Sequence, residues 1–307
     1  MDRPLAIGLL RVPACLIHHR LFGTCRPERN LPKGGDLKLK NLLASIGVRL
    51  RPRTYDYTVE TFNLATEGAV QFALWNHPKC RVGEIRQDSI DELRRYLRPG
   101  DAVIDIGAHT GETSVLYALA VGKEGRVFAV EPNRYVLPIL KKNAALNSNM
   151  APIKILPYAA TEQKATLTFN YSDPGYCNGG DLQQFGSLKH GHLYPLKVEG
   201  RNVLSELRRS SPEWLARIRL IKTDTEGSDH AVVKTLRELI VATRPLLLCE
   251  VYKWATLEQR KAFYRFVTEE LGYDCFGAKP YAQLKGEPIG PDDLMKQHHF
   301  DIFCIPR

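Results

Sequence analysis

Several common sequence signatures are missing from this chain of 307 residues. Its 7 cysteines form no C-x-x-C pair or other metal-ligand spacing, and their odd number does not suit a disulfide framework. We therefore predict a reducing, cytoplasmic location. No apolar run approaches the roughly 18 residues of a membrane-spanning helix. The apolar patch at residues 5–10 is followed by no small-residue cleavage site, so we expect no secretory signal.

The sequence also lacks an internal repeat and the motif G-x-x-x-x-G-K-[ST], which excludes a P-loop kinase. The formal net charge of +9 suggests a nucleic-acid partner, but the 43 basic residues are scattered. The densest basic cluster, at residues 49–53, lies outside the region that carries the motifs. Because dispersed positive charge is typical of a solvated surface, we predict no nucleic-acid partner and no membrane span.

The composition is that of a globular protein, with 44% hydrophobic and 25% charged residues. From residue 102 onward, strand-like and helix-like patterns alternate, which predicts a doubly wound, mostly parallel α/β sheet with helices on both faces. We predict an N-terminal extension of unassigned role at 1–84 and the main domain at 85–307. The predicted strands are 102–106, 126–131, 153–158, 165–170, 220–223, 246–251, 273–276 and 301–306, and the predicted helices are 88–97 (capped by Asp88), 112–121, 134–147, 229–241 and 257–271.

A glycine-rich turn follows the first strand of the alternating region. It reads Asp105-Ile-Gly-Ala-His-Thr-Gly111 and leads into a helix. Glycine lets backbone N–H groups and a helix N-terminus approach a ligand closely. Glu131 follows at the tip of the next strand, where a carboxylate can accept hydrogen bonds from both hydroxyls of an adenosine ribose.

The composition of this turn distinguishes between two ligands that share the ribose, a dinucleotide and S-adenosylmethionine. A dinucleotide fingerprint needs G-x-G-x-x-G, but His109 and Glu112 replace its second and third glycines. The acids Asp105 and Glu112 suit a diphosphate poorly, whereas Asp105 offers a compensating charge to a cationic amino acid. We therefore favour S-adenosylmethionine, with an NAD-dependent oxidoreductase as the alternative. The alternative for Asp105 is an acid that only caps the turn. The alternative for Glu131 is a solvated acid at the end of its strand.

Four segments resemble the successive motifs of the FkbM family of S-adenosylmethionine-dependent methyltransferases. They are Asp105–Gly111, Val130–Asn133, Leu220–Gly227 and Pro245–Val251. Thr223 departs from the pattern, because the family usually has an aliphatic residue there. The resemblance implies a class I methyltransferase (Rossmann-like) fold, with a seven-stranded sheet and an antiparallel last strand. It also implies O-methylation of a hydroxyl on a saccharide, glycan or secondary metabolite.

These motifs supply the predicted site. The predicted cofactor-binding residues are Asp105, Gly107, Ala108, His109, Thr110, Gly111, Glu131, Pro132, Asn133 and Asp224. Asp224 is our first choice for the general base or for orienting the acceptor hydroxyl, and Glu226 is the second. Lys222 is either catalytic or the partner of an acid. Capping of the following helix is the alternative role of Asp224 and Glu226.

The acceptor side is predicted from Glu250 and from a polar, glycine-rich insertion at 171–195. Tyr176 and Asn178 in this insertion are the predicted contacts of a small-molecule or glycan acceptor. Acids that end neighbouring strands also occur in metal-assisted methyltransferases, but no Asn or Asp beside Glu250 completes a ligand set, so we predict no metal. The histidine pair at 298–299 is assigned to a turn. A methyltransferase-like module that binds a partner without catalysis is the remaining alternative.

Overall fold

The computed structural model describes residues 54–78, 80, 85–171, 194–280 and 282–307. The elements in chain order are β1 (Tyr57–Leu64), β2 (Gly68–Trp75), α1 (Gln87–Arg94), β3 (Ala102–Ile106), α2 (Glu112–Val121), β4 (Arg126–Val130), α3 (Leu137–Leu146), β5 (Ile153–Leu156), β6 (Ala159–Ala160), β7 (Ala165–Tyr171), β8 (Tyr194–Arg201), α4 (Val203–Ser210), β9 (Ile218–Thr223), α5 (Asp229–Thr235), α6 (Arg237–Thr243), β10 (Leu246–Val251), α7 (Leu257–Arg265), β11 (Tyr273–Ala278) and β12 (Phe300–Pro306). A π-helical turn at Phe266–Glu270 extends α7, and short 3-10 segments occur at Pro212–Arg217 and Pro291–Asp293.

The central sheet has seven strands in the order β11-β12-β10-β9-β3-β4-β5. Strand β12 runs antiparallel to its neighbours β10 and β11, and the other neighbouring pairs are parallel. From β3 the chain continues into β4 on one side of the sheet and later returns to β9 on the other. Ligands of such sheets bind outside the carboxyl ends of the strands at this switch point. The predicted α/β fold, with an antiparallel last strand, is confirmed.

The sequence of β3 explains how the two faces of the sheet are covered. Each of its five residues is buried, as expected for a parallel strand with helices on both sides. Successive side chains point to opposite faces. Ile104 and Ile106 pack in a cluster with α4 to α7, whereas Val103 packs with α1, α2 and the hairpin of β1 and β2. Asp105 therefore lies on the Val103 face, close to the switch point.

Most predicted elements are present, and two details differ from the predictions. The helix predicted at 229–241 is two helices, because Leu236 has a φ of −98° and a ψ of 4°, which interrupts the helical backbone. Asp88 is not the N-cap of α1. Arg86 occupies the N-cap position, and Asp88 lies in the first turn, where its carboxylate pairs with the Arg86 guanidinium.

Strands β1, β2, β6 and β8 lie outside the predicted elements, whereas β7 matches the strand predicted at 165–170. Strand β8 pairs with β7 in a small sheet of order β6-β8-β7 and begins at Tyr194, inside the predicted insertion. The remainder of that insertion lies outside the described residues. Strands β1 and β2 form an antiparallel hairpin, and completely buried Val70 and Phe72 of β2 share a hydrophobic cluster with Ile90. The hairpin thus packs on the main domain, while the boundary at 84/85 stays a prediction.

The helices within these ranges are too short or too polar to cross a lipid bilayer. The predicted cytoplasmic location stays a prediction.

The packing of the hairpin predicts a large effect of Phe72→Ala on stability. Because the Phe72 side chain is completely buried, its truncation should lower the free energy of unfolding by about 3–5 kcal/mol in urea titrations of the full-length protein. Val59→Ala is the control on the same hairpin, since Val59 is 37% exposed, and should change that free energy by less than about 1 kcal/mol. Equal effects of the two substitutions would show that the hairpin is not part of the cooperative core.

Candidate active site

The glycine turn after β3 lies against the end of β9. Gly107 has a φ of 82°, and a Cβ atom at this position would lie 2.0 Å from the carbonyl oxygen of Asp224. Gly111 has a φ of 93°, and a Cβ atom there would lie 2.7 Å from Cδ1 of Leu140. Both positions combine a left-handed backbone with a close approach, so only glycine fits without displacing its neighbours. The turn is therefore a tightly packed cradle of backbone atoms.

The other side of the turn is anchored to the end of β4. The N–H of Ala108 donates to the carbonyl oxygen of Val130 at 3.1 Å. The N–H of His109 donates to Glu131 Oε2 at 2.8 Å, and the N–H of Asn133 donates to Glu131 Oε1 at 2.7 Å. Burial raises the pKa of Glu131 to about 7, although these two donors oppose the shift. The sequence predicted that His109, Glu131 and Asn133 belong to one site, and the structure shows the hydrogen bonds that join them.

Lys222 is a buried cation between the central strands. It is opposite Asp105 in the ladder of β3 and β9, which explains the 3.2 Å between its Nζ and Asp105 Oδ1. Its ammonium also donates to the carbonyl oxygen of Gly107 at 2.9 Å and lies 3.7 Å from Asp224 Oδ2. Burial alone would lower the pKa of Lys222, but the charges of Asp105 and Asp224 hold that pKa above its ordinary value. Because Lys222 stays protonated, it fits the predicted role as the partner of an acid and cannot accept a proton.

The contacts of Asp105 favour a structural role over its predicted role as the partner of a ligand cation. Its side chain is completely buried. The hydroxyls of Thr113 and Ser114, at the start of α2, donate to its Oδ2 at 2.7 and 2.6 Å, while Lys222 faces its Oδ1. The charge of Asp105 is thus compensated within the protein. Asp105 instead joins β3, β9 and α2 beneath the turn.

A cluster of acids lies at the carboxyl ends of β9 and β10. Half of the Asp224 side chain is exposed. Glu226 has a φ of 54°, and its N–H donates to Glu250 Oε2 at 2.9 Å. The other Glu250 oxygen lies 2.8 Å from His299 Nε2. His299 lies in the bend before β12, and its ring there pairs with a buried carboxylate.

Burial raises the pKa values of the acids around Asp224, and the negative charge of Asp224 adds to the shift. The pKa rises to about 8 for Glu226 and Asp301 and to about 6 for Asp229. The pKa of Glu250 lies well above its ordinary range for the same two reasons. Asp224 is thus the exposed carboxylate of the cluster, beside Lys222, and of its neighbours Glu226, Asp301 and Glu250 favour their protonated forms near neutral pH, whereas Asp229 is mostly ionised.

Sequence reasoning did not identify Asp229, Asp301 or Arg260. Asp301 pairs with Glu250 in the ladder of β10 and β12. The alternation along β12 therefore indicated a polar residue next to Glu250. Arg260 gave no signal, since an arginine on an amphipathic helix is usually exposed. It is buried in α7, and its guanidinium donates to the carbonyl oxygens of Tyr252, Ala255, Leu294, Gln297 and His298. It therefore connects the segment after β10 to the segment before β12.

Tyr176 and Asn178, the predicted acceptor contacts, lie outside the described residues. In the part of the chain that the structure covers, no group of three or more His, Cys, Asp or Glu side chains is arranged to hold a metal ion.

The strand order, the glycine turn and the acid at the tip of β4 together define a class I methyltransferase that depends on S-adenosylmethionine. The methyltransferase FkbM domain family matches residues 105–275, and the chain belongs to that family. The NAD-dependent alternative is therefore abandoned.

Individual relatives match shorter parts of the chain. A probable cobalt-precorrin-6B C(15)-methyltransferase (decarboxylating) from Pyrobaculum calidifontis is 39% identical over 100 residues, which cover 33% of this chain and 49% of the relative. The rRNA 2'-O-methyltransferase fibrillarin of Dictyostelium discoideum is 25% identical over 143 residues, covering 45% of this chain and 40% of the relative. The chain thus spans less than half the length of these two relatives. The crystal structure of methyltransferase FkbM from Methylobacillus flagellatus has a TM-score of 0.41 at 16% identity, and the match covers 68% of this chain and 44% of that one.

The close approach at Gly107 predicts a specific effect of Gly107→Ala. Gly122 provides the control, because its φ is 63° and a Cβ there would meet nothing within 4 Å. Both alanines incur the cost of a positive φ, about 1–3 kcal/mol, but only Gly107→Ala displaces the Asp224 carbonyl. We expect Gly107→Ala to lower the unfolding free energy by at least about 2 kcal/mol more than Gly122→Ala in urea titrations. We also expect isothermal titration to show at least about tenfold weaker binding of S-adenosylmethionine. Indistinguishable variants would contradict the close packing of the turn.

Proposed function

We propose that this methyltransferase transfers the methyl group to a hydroxyl of a saccharide, glycan or secondary metabolite. The observation that carries this proposal is the exposed carboxylate of Asp224. It stands at the carboxyl end of a central strand, beside the buried ammonium of Lys222 and among acids of raised pKa. An acceptor hydroxyl must be aligned and must lose a proton, and this group of side chains suits both tasks.

The described residues fit S-adenosylmethionine at the turn. Gly107 and Gly111 leave a backbone surface with no side chains of their own, and Glu131 is beside it. Each oxygen of the Glu131 carboxylate accepts one hydrogen bond from a backbone N–H and retains capacity for a ribose hydroxyl. When bound, S-adenosylmethionine supplies an electrophilic methyl group on a positively charged sulfur. The exposed charge of Asp224 favours a cation on this side of the turn.

Asp224 is our proposed proton acceptor. Lys222 lies 3.7 Å from its carboxylate and restricts its position, while Glu226 and Glu250 lie on the acceptor side. Alignment of the hydroxyl is the larger contribution, because effective molarities correspond to about 7–11 kcal/mol of the barrier. Proton removal by a positioned base contributes about 10²–10⁴-fold. The raised pKa of Glu226, about 8, also suits a group that exchanges a proton near neutral pH.

The charge of this region favours a sugar or metabolite over RNA as the acceptor. Nucleic-acid binding depends on cations that neutralise phosphates, whereas the described side chains at the ends of β9 and β10 are mostly acids. Trp254, in the segment after β10, is 38% exposed and contacts the His298 ring edge-on at 5.4 Å. An exposed aromatic ring at this position offers a platform for a sugar ring.

The proposed role of Asp224 predicts a selective loss of turnover in Asp224→Asn. The full-length protein is incubated with tritiated S-adenosylmethionine and either a saccharide and metabolite extract or total RNA. We expect label in hydroxyl-bearing saccharides or metabolites, in ether linkages that resist alkali. Asp224→Asn should lower this rate by about 10²–10⁴-fold, with cofactor affinity changed by less than about threefold.

Asp274→Asn is the matched control, because Asp274 is an exposed aspartate on β11, far along the sheet from β9. It should retain the wild-type rate. Label in RNA alone would overturn the proposed acceptor class. Full activity of Asp224→Asn would overturn its role as proton acceptor, and no transfer to either extract would favour a non-catalytic binding module.

The pKa of Glu131 predicts that cofactor affinity depends on pH. Its carboxylate accepts ribose hydroxyls best when ionised, and with a pKa of about 7 the ionised fraction rises steeply between pH 6 and pH 8. We therefore expect affinity for S-adenosylmethionine to increase by up to about tenfold over this interval in isothermal titrations. Glu131→Gln should bind weakly and lose the pH dependence. Glu124→Gln, a substitution of an exposed glutamate before β4, should retain it; a pH dependence unchanged in Glu131→Gln would exclude Glu131 as its source.

A further inference from the structure

Asn143 of α3 connects the hairpin of β1 and β2 to the glycine turn. Its side chain is completely buried. Its Oδ1 accepts a hydrogen bond from the N–H of Ala73 at 2.6 Å, and its Nδ2 donates to the carbonyl oxygen of Ala73 at 3.2 Å. The same Nδ2 donates to the carbonyl oxygen of Thr110 at 2.8 Å. One amide group thus joins strand β2, helix α3 and the turn.

A second asparagine repeats half of this arrangement. Asn147 follows α3, and its side chain accepts from the N–H of Gln71 and donates to the carbonyl oxygen of Gln71, both at 2.8 Å. Four residues of a helix rise about 6 Å and two residues of a strand extend about 6.6 Å, so the two asparagines match alternate residues of β2. Both asparagines attach the hairpin to α3, but the bonds of Asn147 go to Gln71, whereas Asn143 also bonds to Thr110 of the turn.

The contact with Thr110 falls at the most constrained part of the turn. The residues on either side of it, His109 and Gly111, have φ values of 49° and 93°. The orientation of the Thr110 carbonyl determines how these left-handed residues follow one another. The His109 N–H in turn donates to Glu131. The His109 ring also meets the Trp75 ring edge-on at 5.7 Å, so the end of β2 contacts the turn a second time.

We propose that Asn143 is a positioning residue for cofactor binding. Asn143 is held by the docked hairpin through Ala73 and in turn holds the Thr110 carbonyl, which fixes the backbone that contacts Glu131. This inference rests on the proposed placement of the cofactor at the turn. Because the buried amide is bonded to both Ala73 and Thr110, a shift of β2 would move the backbone that would bind the adenosyl group. The hairpin thereby contributes to the cofactor site through Asn143, although it lies outside the family match at 105–275.

The test compares Asn143→Ala with Asn147→Ala in the full-length protein. Isothermal titration measures the affinity for S-adenosylhomocysteine, and hydrogen exchange without ligand measures protection of a peptide covering residues 105–117. We expect Asn143→Ala to weaken binding by at least about tenfold and to raise exchange in this peptide. Asn147→Ala should weaken binding by less than about threefold, with exchange changed in β2 alone.

A second variant, Asn143→Asp, covers the case in which Asn143→Ala does not fold. Its carboxylate keeps an acceptor for the Ala73 N–H and, when ionised, has no donor for the Thr110 carbonyl. Protonation restores a donor, so its affinity relative to the wild type should be lowest at pH 8 and recover as the pH falls. A constant ratio across pH would overturn the positioning role.

Glu131→Gln separates failure of this inference from failure of the cofactor placement. If Glu131→Gln weakens binding while Asn143→Ala and Asn147→Ala bind alike, the positioning role is overturned and the placement stands. If Glu131→Gln binds like the wild type, the cofactor lies elsewhere and both proposals fall.

Discussion

The site depends on one buried cation, the ammonium of Lys222, which holds the ends of the two central strands together. It faces Asp105 across the ladder, binds the carbonyl oxygen of Gly107 and lies near Asp224. Removing one partner of such a buried pair leaves an uncompensated charge, which is strongly destabilising. The position of the glycine turn and that of the exposed carboxylate therefore follow from the same contact.

The two sides of the switch point have different chemistry because different strands supply them. On the β4 side, backbone N–H groups of His109 and Asn133 surround a single carboxylate, Glu131. This side suits the neutral hydroxyls of a ribose. On the β9 and β10 side, burial raises the pKa values of the acids around Asp224, and the negative charge of Asp224 adds to the rise. This side suits proton exchange with an acceptor hydroxyl, and the turn at Gly107 separates the two.

The parts of the fold that the sequence predicted depend on local patterns. The bounds of β3 and β10 were predictable because unbroken apolar runs mark strands buried on both faces, and glycines mark where β3 ends. The acids of the site followed from the rule that ligands bind at the carboxyl ends of the strands. The hairpin and its docking did not follow, because the pairing of Ala73 with Asn143 joins residues 70 positions apart. The burial of Arg260 likewise depends on carbonyl groups from distant segments.

The central claim is that the adenosyl donor lies across the carboxyl ends of β4, β3 and β9, over the glycine turn. A crystal structure of the full-length protein with S-adenosylhomocysteine tests this claim most directly. We expect the ribose hydroxyls within hydrogen-bond distance of Glu131, the sulfur on the Asp224 side, and Lys222 still bound to Asp105. An adenosyl group bound elsewhere on the sheet, or a ribose remote from Glu131, would contradict it.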